Sequence, residues 1–266
     1  IQTLKLDVTR FRTVEEVLFQ LQPDVIVNTV ALTKIDECEG NPGLAHKLNV
    51  KAAQHLARVA SMLGARLVHI STDQLFDDGT PWKTESDTPA PINTYARTKL
   101  LAEQAVLEEC SNALIVRTNF FGWGNSVRAS FSDWILQGLD QQHELTMFCD
   151  VFFTPILVNQ LVDAITELIA ANAFGVFHVA GGERLSKYAF ALQTAELFGY
   201  SNRCILRTSV QDFPFKAPRP REMSLSSRKT EQILGTRMPN VAEGLERLQS
   251  LRKDGWQLGL ENSIIR

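Results

Sequence analysis

The sequence predicts an α/β fold: a doubly wound parallel sheet with helices on both faces and a smaller C-terminal lobe. Three observations predict it. Short β-branched runs alternate with helical stretches long enough to pass over a sheet, which implies parallel crossovers. The runs Asp24–Asn28 and Ala113–Arg117 are nearly continuous in apolar residues, as strands covered on both faces are. With 266 residues, 44% of them hydrophobic and 21% charged, the chain can bury a sizeable core in one large domain carrying a smaller lobe.

In order, Leu4-Lys5-Leu6-Asp7 alternates like a short strand, and Thr13 with Glu16 reads as a capping box opening a helix with Val17, Leu18 and Leu21. Pro23 stops that helix, and Asp24–Asn28 follows as a strand expected to be buried on both faces. A polar connection, Lys34 to Pro42, leads to a helix over Leu44–Leu63 whose apolar residues Leu48, Ala52, Leu56, Val59 and Leu63 recur at helical spacing. Gly64 stands at its C-cap. The strand Arg66–Ser71, a loop to Pro91, the helix Tyr95–Glu109 and the strand Ala113–Arg117 complete the order β-α-β-α-β-loop-α-β.

Beyond Phe120-Phe121-Gly122-Trp123 the spacing predicts helices over Phe131–Leu139 and Leu157–Ala171 and a strand over Gly175–Val179. Ser186 caps a helix to Phe198, the three prolines of Phe213–Pro220 make an extended loop, and an amphipathic helix covers Val241–Lys253. Residues 1–150 are thus expected to form the main sheet domain, and residues 151–266 a mixed segment that returns to the sheet and forms the smaller lobe.

Composition excludes several functions. Lys and Arg number 27 against 30 Asp and Glu, so no cationic excess argues for a nucleic acid partner. No apolar run approaches the roughly 20 residues of a membrane span, and no basic stretch precedes an apolar one, so a cytoplasmic protein with no membrane partner is expected. The four cysteines show no CxxC pair and the five histidines share no ligand spacing, so no metal is expected. His69 and His178, inside strands, read as core or sheet-edge residues, and the acidic cluster Asp36, Glu37, Glu39 as a solvated loop.

In such sheets ligands bind beyond the carboxyl ends of the strands, which directs attention to the residues after Asn28, Ile70 and Arg117. Tyr95 and Lys99 stand four apart at the start of a helix and so share one face. An ammonium beside a phenol favours the phenolate and eases proton exchange with a carbonyl or hydroxyl. Ser71-Thr72-Asp73 closes the preceding strand, where a hydroxyl can hydrogen-bond the same substrate oxygen.

These residues, with several more in order, resemble the extended short-chain dehydrogenase/reductase superfamily, most closely its dTDP-4-dehydrorhamnose reductase branch. The block Ile70-Ser71-Thr72-Asp73-Gln74-Leu75-Phe76-Asp77 is similar to the family's Ser-Thr-Asp-Tyr-Val-Phe-Asp-Gly. Pro89-Ala90-Pro91 with Tyr95-Ala96-Arg97-Thr98-Lys99 resembles its catalytic helix. Leu6-Asp7-Val8-Thr9, Asp24–Thr33, Asn41-Pro42, Leu48-Asn49-Val50, Arg117-Thr118-Asn119-Phe120 and Pro218-Arg219-Pro220 extend the resemblance over nearly the whole chain.

The resemblance implies a Rossmann-like domain using NADP or NAD, with a nucleotide-sugar as substrate. Tyr95 would be the proton donor, Lys99 would lower its pKa and hold the nicotinamide ribose, and Thr72 would orient the substrate oxygen. Asp7 and Val8 would lie near adenosine, Ala31, Leu32 and Thr33 along the inner half of the cofactor, and Asp73, Phe120 and Arg219 in the substrate cleft. The expected reaction is reduction of a 4-keto nucleotide-sugar. Superfamily members pair through helices, which leaves a homodimer open.

Three departures stand out. The Gly-rich turn that holds the pyrophosphate is nowhere in the sequence, which predicts a longer natural chain whose first strand and turn precede Ile1. Gln74 stands where the family commonly has tyrosine, and Thr29-Val30 where it favours small alanines. Two alternatives therefore remain: a weakly catalytic NAD(P)-binding regulatory subunit, resembling that of methionine adenosyltransferase, and a sugar-nucleotide epimerase or dehydratase.

Overall fold

The structure, a computed structural model, describes residues 3–76, 79–125 and 129–255. Helix α1 (Phe11–Leu21) turns Val14 and Leu18 inward. Its N-cap is Arg10 and no side chain caps it, so Thr13 lies inside the helix and the expected capping box does not form. The turn ahead of it starts the helix early: Asp7 accepts from the Thr9 backbone and hydroxyl, and the Asp7 carbonyl accepts from Arg10 N–H. Residues 4–7 run as coil, because no described strand pairs with them.

Strand β1 (Val25–Asn28) is followed by α2 (Ile35–Gly40), α3 (Pro42–His46), a π turn at Lys47–Lys51 and α4 (Ala52–Leu63). Asn41 caps α3, with Pro42 at the first helical position, where its missing N–H costs nothing. Gly64 takes a left-handed φ of 67° and ends α4 as expected. Then come β2 (Arg66–Ile70), α5 (Thr94–Glu109), β3 (Leu114–Arg117), β4 (Phe120–Phe121), α6 (Phe131–Asp140), β5 (Leu145–Phe148), β6 (Phe152–Phe153) and β7 (Ile156–Leu157). The chain continues through α7 (Val158–Ala170), β8 (Gly175–His178), β9 (Leu185–Ser186), α8 (Lys187–Phe198), β10 (Ile205–Thr208), α9 (Arg228–Leu234) and α10 (Val241–Lys253).

The main sheet has the order β1-β2-β3-β8, all parallel. Side chains alternate across it. Ile26, Leu67 and Ile115 pack under α1, α4 and α5, whereas Val68, Leu114, Val116 and Phe177 pack under α7. Strand β1 departs from the expectation of burial on both faces, since Val25 is 38% and Val27 51% exposed. The α7 layer covers the sheet over β2, β3 and β8, and no described helix extends it over β1.

The smaller lobe has its own core. Phe190 of α8 packs edge-on to Phe121 and Phe153 and stacks on Phe131, and α10 closes the cluster with Val241, Leu245 and Leu248. A parallel pair, β5 with β10, borders it. Among the described residues no helix is long and apolar enough to cross a membrane.

Candidate active site

The carboxyl ends of β1, β2 and β3 converge on the start of α5. Asn93 caps this helix by accepting from Ala96 N–H, and its own amide donates to the Pro218 carbonyl, so one side chain ties α5 to the loop of the smaller lobe. Tyr95, 8% exposed, packs with Cys38 and Ala45 and beside Leu32 and Ile35 from the segment after β1. One turn on, Lys99 is 2% exposed; its Nζ donates to the Ile70 carbonyl at 2.7 Å and lies 3.2 Å from His69 Nε2.

His69 is fully buried in β2, the core position expected for it, but it also links two site elements. Asn28 Oδ1 accepts from Val30 N–H, so its Nδ2 donates to His69 Nδ1 at 3.0 Å. That leaves the ring proton on Nε2, facing the Lys99 amine. Burial pulls the Lys99 ammonium down to about 8, and a ring N–H pointing at Nζ opposes its charge further.

The segment 31–33 is held from behind. Asn49, fully buried in the π turn, accepts from Leu32 N–H at 2.7 Å, donates to the Leu32 carbonyl, and donates to the Thr98 hydroxyl at 2.9 Å. This one amide therefore fixes the backbone after β1 against α5. Single-turn π segments inside helices are common at functional sites.

Thr72 and Asp73 follow β2 and are buried. The Thr72 hydroxyl lies 3.3 Å from Asp73 Oδ1, and Asp73 Oδ2 accepts from Asn119 Nδ2 at 2.6 Å. Burial pushes the Asp73 carboxyl up to about 6, against the pull of the Lys187 charge. Beneath them Glu103 of α5 accepts from the Ser71 hydroxyl and from Arg117 Nε and Nη2, an ion pair with side chains only 3–5% exposed.

Asp7, exposed, is engaged with Thr9 and Arg10; the Val8 carbonyl lies 3.3 Å from His55 Nδ1 at the start of α4. Arg219 lines a cavity of about 140 Å³ together with Gln74, Asn119, Phe148, Phe215 and Lys187. Phe120 is half exposed on β4 and is not among the residues lining that cavity. Asp77, at the end of the Ser-Thr-Asp block, and Ile1 lie outside the described residues.

The acidic cluster is not a solvated loop. It forms α2, whose carboxylates have work on both sides: Asp36 accepts from Ala217 N–H and Arg219, and Glu39 accepts from Thr94 N–H and pairs with Arg97. Sequence reasoning also passed over Asn49, Asn119 and Lys187. Two of them left a signal, since Asn49 interrupts an apolar helical stripe and Lys187 puts a cation at the positive end of a helix capped by Ser186. Among the described residues no group of three or more His, Cys, Asp or Glu could hold a metal ion.

Comparison with known proteins resolves the ancestry of this arrangement. The family model described as RmlD substrate binding domain matches residues 1–252. The chain belongs to this family. Within the extended short-chain dehydrogenase/reductase superfamily, it is 31% identical to the dTDP-4-dehydrorhamnose reductase of Shigella flexneri over 252 residues, covering 88% of this chain and 82% of that one. It is 31% identical to the probable low-salt glycan biosynthesis reductase Agl14 of Haloferax volcanii, over 94% of this chain and 85% of the relative. The crystal structure of dTDP-4-dehydrorhamnose reductase from Bacillus anthracis in complex with NADP superimposes with a TM-score of 0.86 at 29% identity, covering 92% of this chain and 86% of that one. The family's parallel, Rossmann-like sheet is the one described above.

Proposed function

We propose that the chain is an NADPH-dependent reductase of a 4-keto nucleotide-sugar, of the dTDP-4-dehydrorhamnose reductase kind, with Tyr95 as proton donor. One observation carries this reading: Lys99, one turn along α5 from Tyr95, is bonded to the Ile70 carbonyl, two residues before Thr72 on the same strand end. The reductase relatives and the NADP in the Bacillus anthracis structure support the cofactor and the substrate class.

The donor set fits the nicotinamide riboside end of a dinucleotide. It comprises a phenol, an ammonium of which one N–H is taken by the Ile70 carbonyl, and the backbone of Ala31, Leu32 and Thr33 braced by Asn49. Asp7 and Val8 would border the adenosine end. When bound, the reduced cofactor supplies a hydride to the carbonyl carbon of the sugar.

The chain's own residues handle the oxygen. The Thr72 hydroxyl donates to the carbonyl oxygen and orients it, and Tyr95 gives its hydroxyl proton to that oxygen as negative charge develops. The carbonyl becomes a secondary alcohol, and the tyrosinate left behind is stabilised by the Lys99 charge one turn away until solvent reprotonates it. Asp73, Phe120 and Arg219 would stand on the substrate side. In this reading residues 1–150 carry the cofactor and residues 151–266 supply most of the substrate lobe, whose core also takes Phe121, Ile135 and Leu145 from before residue 150.

The test is NADPH oxidation followed spectrophotometrically with dTDP-4-dehydrorhamnose, and with UDP- and GDP-linked 4-keto sugars beside it. Stoichiometric formation of the 4-hydroxy nucleotide-sugar is expected. No oxidation with any member of the panel would remove the reductase assignment.

A further inference from the structure

Two lysines flank the strand end that carries Thr72 and Asp73, and their surroundings differ. Lys99 Nζ has the Ile70 carbonyl as acceptor. Lys187 Nζ, at the first position of α8, has no hydrogen-bond acceptor among the described residues; it lies 3.2 Å from the ring centroid of Phe153 and 4.8 Å from that of Phe131. Aromatic faces attract a cation but accept no conventional hydrogen bond, so three strong donors are left to be satisfied. Burial accordingly draws the Lys187 ammonium down to about 8, with only the Asp73 charge opposing. The residue keeps partial exposure on the cavity wall, so a group entering the cavity can accept from these donors.

Across the same cavity, Gln74 presents the complementary defect. Its Oε1 is buried without a hydrogen-bond partner. One wall therefore lacks an acceptor and the other lacks a donor. A phosphate offers acceptors only and would leave Gln74 Oε1 unpaired. A hydroxyl is both donor and acceptor, and neighbouring hydroxyls on one ring meet both walls at once. Phosphate oxygens have a better partner in the Arg219 guanidinium, anchored by Asp36 on the same cavity.

We propose that Lys187 and Gln74 are the specificity residues for the sugar ring, Lys187 Nζ donating to one ring hydroxyl and Gln74 Oε1 accepting from the same or the adjacent one. This rests on the nucleotide-sugar reading above. It adds which part of that substrate the cavity between the two lobes recognises. It also gives a physical role to the glutamine at position 74, whose amide accepts where a phenol would chiefly donate.

The experiment is calorimetric titration of dTDP-rhamnose, the expected product, and of dTDP alone, into wild type, Lys187→Met and Gln74→Leu, each saturated with NADP⁺. Both variants replace a polar group by an apolar one of similar length against apolar or aromatic neighbours, and circular dichroism melts report their folding. Each is expected to bind dTDP-rhamnose roughly tenfold more weakly, the loss of one hydrogen bond to a charged or buried group, while dTDP binds as in wild type. Equal loss for dTDP in Lys187→Met would assign the lysine to the diphosphate and overturn the proposal, as would unchanged affinity for both ligands in both folded variants. A wild type that takes up neither ligand would instead overturn the nucleotide-sugar reading, and this assignment with it.

Discussion

His69 Nε2 faces Lys99 Nζ at 3.2 Å, and Asn28, bonded to the other ring nitrogen, decides which partner carries the hydrogen between them. Because Asn28 donates to Nδ1, Nε2 keeps its proton and opposes the ammonium. With the Lys99 value lowered to about 8 from 10.5, the unfolded chain binds the extra proton between those values, so stability from this group rises with pH across that window. Activity has the opposite sign: the ammonium that stabilises the tyrosinate is present below about 8 and lost above it. Asn28→Asp replaces the donor with an acceptor, moves the ring proton to Nδ1 and lets Nε2 accept from Lys99. The alkaline limb of kcat is expected to move up by about one pH unit; a pH profile with an unmoved limb would contradict the tautomer argument.

Tyr95→Phe removes the transferable proton and keeps the ring that packs on Cys38 and Ala45. A fall in kcat of roughly a hundredfold to ten-thousandfold is expected, with NADPH affinity by fluorescence titration within about twofold of wild type. Retained turnover would leave the phenol without its proposed task.

The Glu103–Arg117 pair is buried on both sides, and the Ser71 hydroxyl completes the carboxylate's set of partners. Glu103→Ala leaves a guanidinium in the core beside His178 Nε2 at 3.4 Å and the Phe76 ring, with no carboxylate to balance its charge. Urea denaturation is expected to show a loss of about 3–5 kcal/mol. Nucleotide-sugar affinity in the surviving folded fraction should change little, because neither residue reaches the cavity lining.

Asp36 acts at longer reach. It accepts from Arg219 Nη2 at 2.9 Å and from the Ala217 backbone, and so holds the loop that walls the substrate side. The pair is partly exposed, so its worth is at most about 1 kcal/mol, a factor of about five. Asp36→Ala is expected to raise KM for the nucleotide-sugar by roughly that factor, leaving KM for NADPH unchanged in steady-state kinetics.

Local chemistry made much of the fold legible. Ser186 capping Lys187–Phe198, Gly64 ending α4, and the 3.6-residue stripe of Val241–Lys253 are signals within a few residues of the elements they set. The β5–β10 pair was not legible, because α7, β8 and α8 lie between Leu145 and Ile205 in the chain and no local signal joins them. For the same reason Thr13–Glu16 misled: the spacing suits a cap, but the Asp7–Thr9 turn reaches the helix start first. In the site, the Thr72, Tyr95 and Lys99 set could be read from spacing and resemblance. Asn119 could not, since its partner Asp73 lies 46 residues away, and Lys187 and Asn49 left only a local signal, because their partners Phe131 and Phe153, or Leu32 and Thr98, are distant in the chain.

The widened coil at Lys47–Lys51 lodges one more residue in its turn than a regular helix does. Because the surplus is absorbed within that turn, excising one residue would restore regular pitch with little rotation of the helices on either side. What such a shortening would displace is Asn49, and with it the brace on Leu32 and Thr98. The surrounding fold would survive while the backbone after β1 came loose from α5.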